Sequence, residues 1–195
     1  MEYKKMINRA IIDDKKQKAI FKYIDTMKNG KQIKLMFGFN WLAGMRCINF
    51  AYLQVGDVID EFGKVRDIIE LTPEKNKGHK KARYYVNDEL KAMIKDYVNY
   101  YKLKDPERYL FTSQKTRKPY NRNSISKIFT AIYKTFGLEC STHYGRRHFI
   151  TELLVKGIDL TSVMTLVNHS SPSMTSRYYN QNENMLKNVV NSVKI

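Results

Sequence analysis

The stretch from Thr142 to Asn180, THYGRRHFITELLVKGIDLTSVMTLVNHSSPSMTSRYYN, concentrates the side chains of this chain that can do chemistry. It opens on His143, Tyr144, Gly145, Arg146, Arg147 and His148. Residues three apart on a helix share a face, so His143 and Arg146 point the same way and can grip one anion together. Further on come Leu166, Val167, Asn168, His169, Ser170 and Ser171, and nine residues past His169 stands Tyr178, followed by Tyr179. The pieces form an ordered series of His and Arg, then His, then Tyr.

The chain around that stretch is strongly basic. Its 35 Lys and Arg against 19 Asp and Glu leave a formal charge of +16 and a pI near 9.7. Such a surface attracts polyanions, either nucleic acid or an acidic membrane face. No stretch approaches the ~18 apolar residues of a membrane span, so a soluble, intracellular protein with no membrane partner is expected. Cys47 and Cys140 lie in apolar surroundings and read as reduced core thiols, and no Cys/His spacing suits a metal. A length of 195 residues suits a single core.

Periodicity and caps predict the elements between these landmarks. Asp13 and Asp14 start a helix carrying Ile20, Phe21, Ile24 and Met27, stopped by Asn29-Gly30, and a second helix runs from about 32 to 42. A short helix over 46–53 ends at Gly56-Asp57. Strands over 65–71 and from Arg83 to Val86 flank a turn built from Asn76, Lys77, Gly78 and His79, giving a small antiparallel sheet. Asn87-Asp88 caps a helix with Leu90, Met93, Ile94, Tyr97 and Tyr101 on one face. Leu110 and Phe111 dock a loop, residues 114–123 are polar and turn-rich, and Ser124 caps a helix ended by Gly137. Helices over about 144–156, 160–167 and 173–179 follow. The fold class is α+β, mainly α-helical with a small antiparallel β-sheet.

The residues from Thr142 to Asn180 resemble the C-terminal signature of the tyrosine recombinase, or phage integrase, family. That signature is a His-x-x-Arg box opening a helix, a Leu-x-Gly-His-Ser-Ser box, and a Tyr nine residues past the second His. His143, Arg146, His169 and Tyr178 fall on those positions. Upstream, Gly44-Met45-Arg46 looks like the family's first-arginine box. Lys77, six residues before Arg83, matches the spacing of its hairpin lysine, with Lys75 a rival. The resemblance covers roughly Asp13 to Asn180. It implies the tyrosine recombinase catalytic-domain fold over residues 1–180 and a C-terminal tail over 181–195, a candidate for exchange between protomers.

By the same resemblance the chain is a site-specific DNA recombinase, cutting and rejoining strands through a covalent 3′-phosphotyrosine during integration, excision or inversion. The implied catalytic set is Arg46, Lys77, His143, Arg146, His169 and Tyr178, with no metal and no cofactor. The implied partners are double-stranded DNA and further copies of the chain, as a dimer or tetramer, in the cytoplasm of a bacterial or phage-infected cell. The chemistry explains these residue types. Guanidiniums from Arg46 and Arg146 can bond nonbridging phosphate oxygens in a forked geometry that Lys does not reproduce. A phenol has a pKa of about 10, so Tyr178 must lose its proton to a base, for which His143 is the leading candidate. His169 adds a donor, and an ammonium at Lys77 can protonate the departing 5′ oxygen.

Three departures from the family pattern stand out. Asn49 occupies a usually acidic position three after the first Arg, Asn168 replaces a Gly, and Arg147 stands where His is common. Asn168 still tolerates left-handed backbone. No room is left before the first helix for the family's DNA-clamping module, as in its short catalytic-domain members or in a fragment of a longer protein. Arg83, Arg117, Lys118, Arg122 and Lys127 are candidates for contacts to the DNA backbone. Two competing readings are a DNA-binding regulator that keeps the fold without the reaction, and a type IB topoisomerase-like relaxing enzyme.

Overall fold

Asp13 accepts a hydrogen bond from the backbone N–H of Lys16 at 2.7 Å and so starts helix α1 (Asp14–Asp25). The computed structural model describes residues 12–73, 81–179 and 191. Helix α2 (Gly30–Leu42) follows and is buried along nearly its whole length, including Leu35, Met36, Phe37, Phe39 and Trp41. Lys31 and Lys34 reach out to Asp96 and Asp25, and a helix otherwise so largely buried belongs at the centre of a core. Phe37 stacks on Phe129 with ring centroids 4.0 Å apart, and Trp41 donates to the Tyr133 hydroxyl at 3.1 Å. Asn29-Gly30, expected as a stop, instead opens α2, because α1 already ends at Asp25 with Thr26 as its cap.

The exit from α2 sets up the first arginine. Gly44 has φ +59°, the Asn40 side chain donates to the Met45 carbonyl at 2.9 Å, and the Met45 N–H returns to Phe39 at 3.0 Å. Arg46 then caps the short helix α3 (Cys47–Ala51). Gly56-Asp57 does not end this segment as expected. Asp57 accepts from the Gln54 N–H at 2.8 Å and starts a further turn, α4 (Val55–Val58).

Strands β1 (Ile68–Leu71) and β2 (Ala82–Tyr85) pair antiparallel, with Ile69 opposite Tyr84 and Glu70 opposite Arg83. Alternation buries Ile69, Leu71, Ala82 and Tyr84 and leaves Glu70 and Arg83 in solvent. β1 is shorter than expected, since Val65 pairs with Ile59 in an isolated bridge. Helix α5 (Asp88–Tyr100), capped by Asn87, buries Leu90, Ile94 and Tyr97 and packs on α2. Helix α6 (Arg122–Thr135) starts before Ser124, because the Asn121 side chain already accepts from the Ser124 N–H at 2.8 Å. Gly137, with φ +68°, follows its end as expected.

Helices α7 (His143–Val155), α8 (Leu160–Leu166) and α9 (Pro172–Tyr179) complete the described chain. α7 packs on α2, while Ile150, Leu154, Val163 and Val167 form a second small core against which Tyr178 leans. Cys47 and Cys140 are buried free thiols, as expected. Among the described residues no helix is long and apolar enough to cross a membrane. The mainly helical α+β architecture with one two-stranded antiparallel sheet is the one expected.

The contact between α2 and α7 aims Arg146, and it closes at Gly145. A Cβ there would meet Asn40 Oδ1 and Trp41 Cδ1, both at 2.3 Å. Gly145→Ala is expected to destabilise the protein by about 1–3 kcal/mol through overpacking, measured by urea denaturation.

Candidate active site

Arg146, on the first turn of α7, is 5 % exposed. Its Nη1 donates to the Gly44 carbonyl and its Nη2 to the Val167 carbonyl. One guanidinium thus ties the loop that enters Arg46 to the turn that enters His169. Burial, and after it the charge of Arg46, bring its pKa down to about 10, which leaves it cationic at neutral pH.

Arg46, Cys47, Ile48, Arg122, Thr142, His143 and Arg146 line a cavity of about 130 Å³. His143 reaches solvent, and partial burial first, then Arg122, Arg146, Arg147 and Arg46, lower its pKa below the usual imidazole value. The neutral ring can therefore accept a proton near pH 7. His169 follows Asn168, whose φ of +54° is the left-handed turn expected at that position. Its Nδ1 lies 2.7 Å from the Thr175 hydroxyl oxygen. Desolvation, then Arg146 and Arg46, push its pKa down to about 4. Tyr178 on α9 is partly buried and stands near enough to Arg146 for a charge on either to be felt by the other. Cationic side chains around a small hole, with a phenol in range, have the chemistry to receive a phosphate and to attack it.

Residues 11–185 match the model of the phage integrase family. This chain belongs to that family. A probable integrase/recombinase, YoeC, of Bacillus subtilis (strain 168) is 31% identical over 153 residues, which are 78% of this chain and 79% of YoeC. The crystal structure of XerA recombinase superposes with a TM-score of 0.77 at 18% identity, covering 95% of this chain and 66% of XerA. A post-cleavage complex of the XerH site-specific recombinase on a palindromic difH substrate gives 0.71 at 19% identity, covering 94% of this chain and 53% of XerH. The integrase chain thus spans a half to two thirds of these solved recombinases, and the expected catalytic-domain fold is theirs.

Of the expected integrase site residues, Arg46, His143 and Arg146 line one cavity, with His169 and Tyr178 within electrostatic reach of Arg146. Lys77 and its rival Lys75 lie outside the described residues, as do the tail over 181–195 and the side chain of Tyr179. Arg122, expected as a DNA-backbone contact, opens α6 and lines the cavity. Arg83 directs its Nε to Glu70 at 2.7 Å across the sheet. Arg117, at φ +55° in an exposed turn, Lys118 and Lys127 face solvent. His148 packs on Trp41, ring centroids 4.6 Å apart, and is not among the residues lining the cavity.

Tyr84 escaped the sequence reading. It is fully buried on β2, its hydroxyl accepts from the Asn49 amide at 2.7 Å, and it also bonds Arg146. The alternation of β2 pointed Tyr84 inward, but nothing local named its partners. Tyr84→Phe is expected to lower stability by about 1–3 kcal/mol, since the buried Asn49 amide and Arg146 each lose a bond; chemical denaturation measures it.

The lowered pKa of His169 has a defined consequence for stability. A histidine with a folded pKa of about 4 and an unfolded value near 6.5 takes up its proton first in the unfolded chain. Stability from this group is complete above pH 6.5 and falls as pH drops toward 4. His143 and His148 shift in the same direction, so His169→Gln should flatten part of the fall. Melting temperatures of both proteins between about pH 7 and 5 test this, and parallel curves would count against it.

Proposed function

We propose that this chain is a site-specific DNA recombinase that cleaves and rejoins strands through a covalent 3′-phosphotyrosine. The observation that carries this reading is the convergence of Arg46, Arg122, His143 and Arg146 on one cavity, with Tyr178 in range of Arg146. A scissile phosphate in that cavity receives guanidinium bonds from Arg46 and Arg146 on its nonbridging oxygens, Arg122 adds positive potential, and His169 adds a donor. Tyr178 gives its proton to His143 and its oxygen attacks phosphorus. The new P–O bond forms as the bond to the 5′ oxygen breaks, and that oxygen takes a proton from Lys77. The linkage to Tyr178 keeps the bond energy, so a 5′ hydroxyl from another strand reverses the step without ATP. Duplex DNA is the substrate, a reading supported by the Tn1549 transposon integrase in complex with circular intermediate DNA, and exchange between two duplexes calls for a dimer or tetramer of the chain on DNA.

The test is incubation of the protein with a pool of nicked duplexes of randomised sequence, followed by a denaturing gel. A covalent adduct is expected with the native chain and with Tyr179→Phe, and none with Tyr178→Phe. Arg146→Lys should slow adduct formation by about 10²- to 10³-fold, equivalent to about 3–4 kcal/mol of transition-state stabilisation. The rate should hold near pH 7 and fall as pH drops through the lowered pKa of His143, because a protonated imidazole cannot take the tyrosine proton. An adduct that survives in Tyr178→Phe would overturn the assignment.

A further inference from the structure

Thr175 lies on α9, three residues before Tyr178, and is fully buried. A helical threonine commonly returns its hydroxyl to a carbonyl one turn back, as Thr165 does to Thr161 at 3.0 Å. The Thr175 oxygen instead lies 2.7 Å from Nδ1 of His169, on the turn before α9. One contact therefore joins the helix that carries the nucleophile to the imidazole beside Arg146 and Arg46.

Two proton arrangements satisfy that distance. Either Nδ1–H donates to the hydroxyl oxygen, or the hydroxyl donates to a bare Nδ1. What the other ring nitrogen must do decides between them. With its pKa near 4, His169 carries one ring proton at neutral pH. Phosphate oxygens accept hydrogen bonds and have none to donate. A proton kept on Nδ1 would turn the lone pair of Nε2 toward an anion, whereas a proton on Nε2 makes the ring a donor.

We propose that Thr175 is a positioning residue whose hydroxyl donates to Nδ1 of His169, fixes the Nε2–H tautomer, and thereby sets His169 as a phosphate donor when α9 seats Tyr178. Both the choice of tautomer and its catalytic consequence rest on the recombinase reading, but the tautomer has a readout of its own. Because Thr175 and Tyr178 lie on adjacent turns of one helix, nucleophile and donor are made ready by the same docking event.

The experiment labels histidine with ¹⁵N in the full chain and records long-range ¹H–¹⁵N spectra at pH 7, which separate bare from protonated ring nitrogens. His169→Gln assigns the signal. The expected result is a single Nε2–H tautomer in the native protein and in Thr175→Ser, lost to a mixture in Thr175→Val, which keeps the shape without the hydroxyl. On the nicked-duplex pool at saturating DNA, Thr175→Val should form adduct about 10- to 100-fold more slowly with unchanged DNA affinity, and Thr175→Ser should restore the rate. A native spectrum showing Nδ1–H would overturn the proposal without needing any variant to fold. So would a Thr175→Val protein with native tautomer and native rate. If the native chain forms no adduct on any duplex, the recombinase reading fails, while the spectra still decide the tautomer.

Discussion

The buried guanidinium of Arg146 holds the site together. A buried cation is costly unless its donors are bonded, and here the bonds go to the carbonyls of Gly44 and Val167 and to the Tyr84 hydroxyl. The choice of neutral partners matters. A carboxylate would satisfy the same donors but cancel the charge, whereas carbonyl and phenol dipoles hold the side chain in place and leave its field intact. The same bonds hold the backbone on either side: Gly44 leads into Arg46, and Val167 leads, through Asn168, into His169.

The sheet is tied to this centre twice. Inside the core, Tyr84 bridges Asn49 of α3 and Arg146 of α7. At the edge, the Asn168 side chain accepts from the Arg83 N–H at 3.1 Å and donates to the Arg83 carbonyl at 2.8 Å. An amide side chain thereby copies the bonding of a neighbouring strand and fastens the His169 turn to β2. Asn49 and Asn168, two departures from the family pattern, are thus both bonded to the same strand. A glycine at 168 would supply the left-handed backbone but neither bond.

Helix existence and the motif residues were legible because each is a local signal. Asp13, Asn87 and Gly137 act where their chemistry predicts, and His143 with Arg146 does open a helix. Boundaries failed where two local signals competed. Asn29-Gly30 reads as a stop, yet the same pair can open a helix; Asp57 beside Gly56 looks like a turn, yet it completes a capping box with Gln54. The roles of Tyr84 and Thr175, and the place of Arg122 beside Arg46 and Arg146, were out of reach for a different reason. Their roles come from partners far along the chain or from a helix start that brings a basic side chain to a cavity, and no period of 2 or 3.6 encodes that.

Arg146, His143 and His169 all have pKa values lowered in part by neighbouring arginines, each after the effect of burial. Three groups shifted toward their neutral forms report one positive potential, built into the fold before any anion arrives. That potential opposes folding, because like charges are gathered in a partly dry place. It also discriminates along the reaction. A phosphodiester carries a single negative charge, and attack by a phenolate adds a second at the pentavalent state. In the proposed reaction a fixed positive field would stabilise the doubly charged arrangement more than the singly charged one, so the repulsion borne by the free protein would become a lowered barrier once DNA is bound.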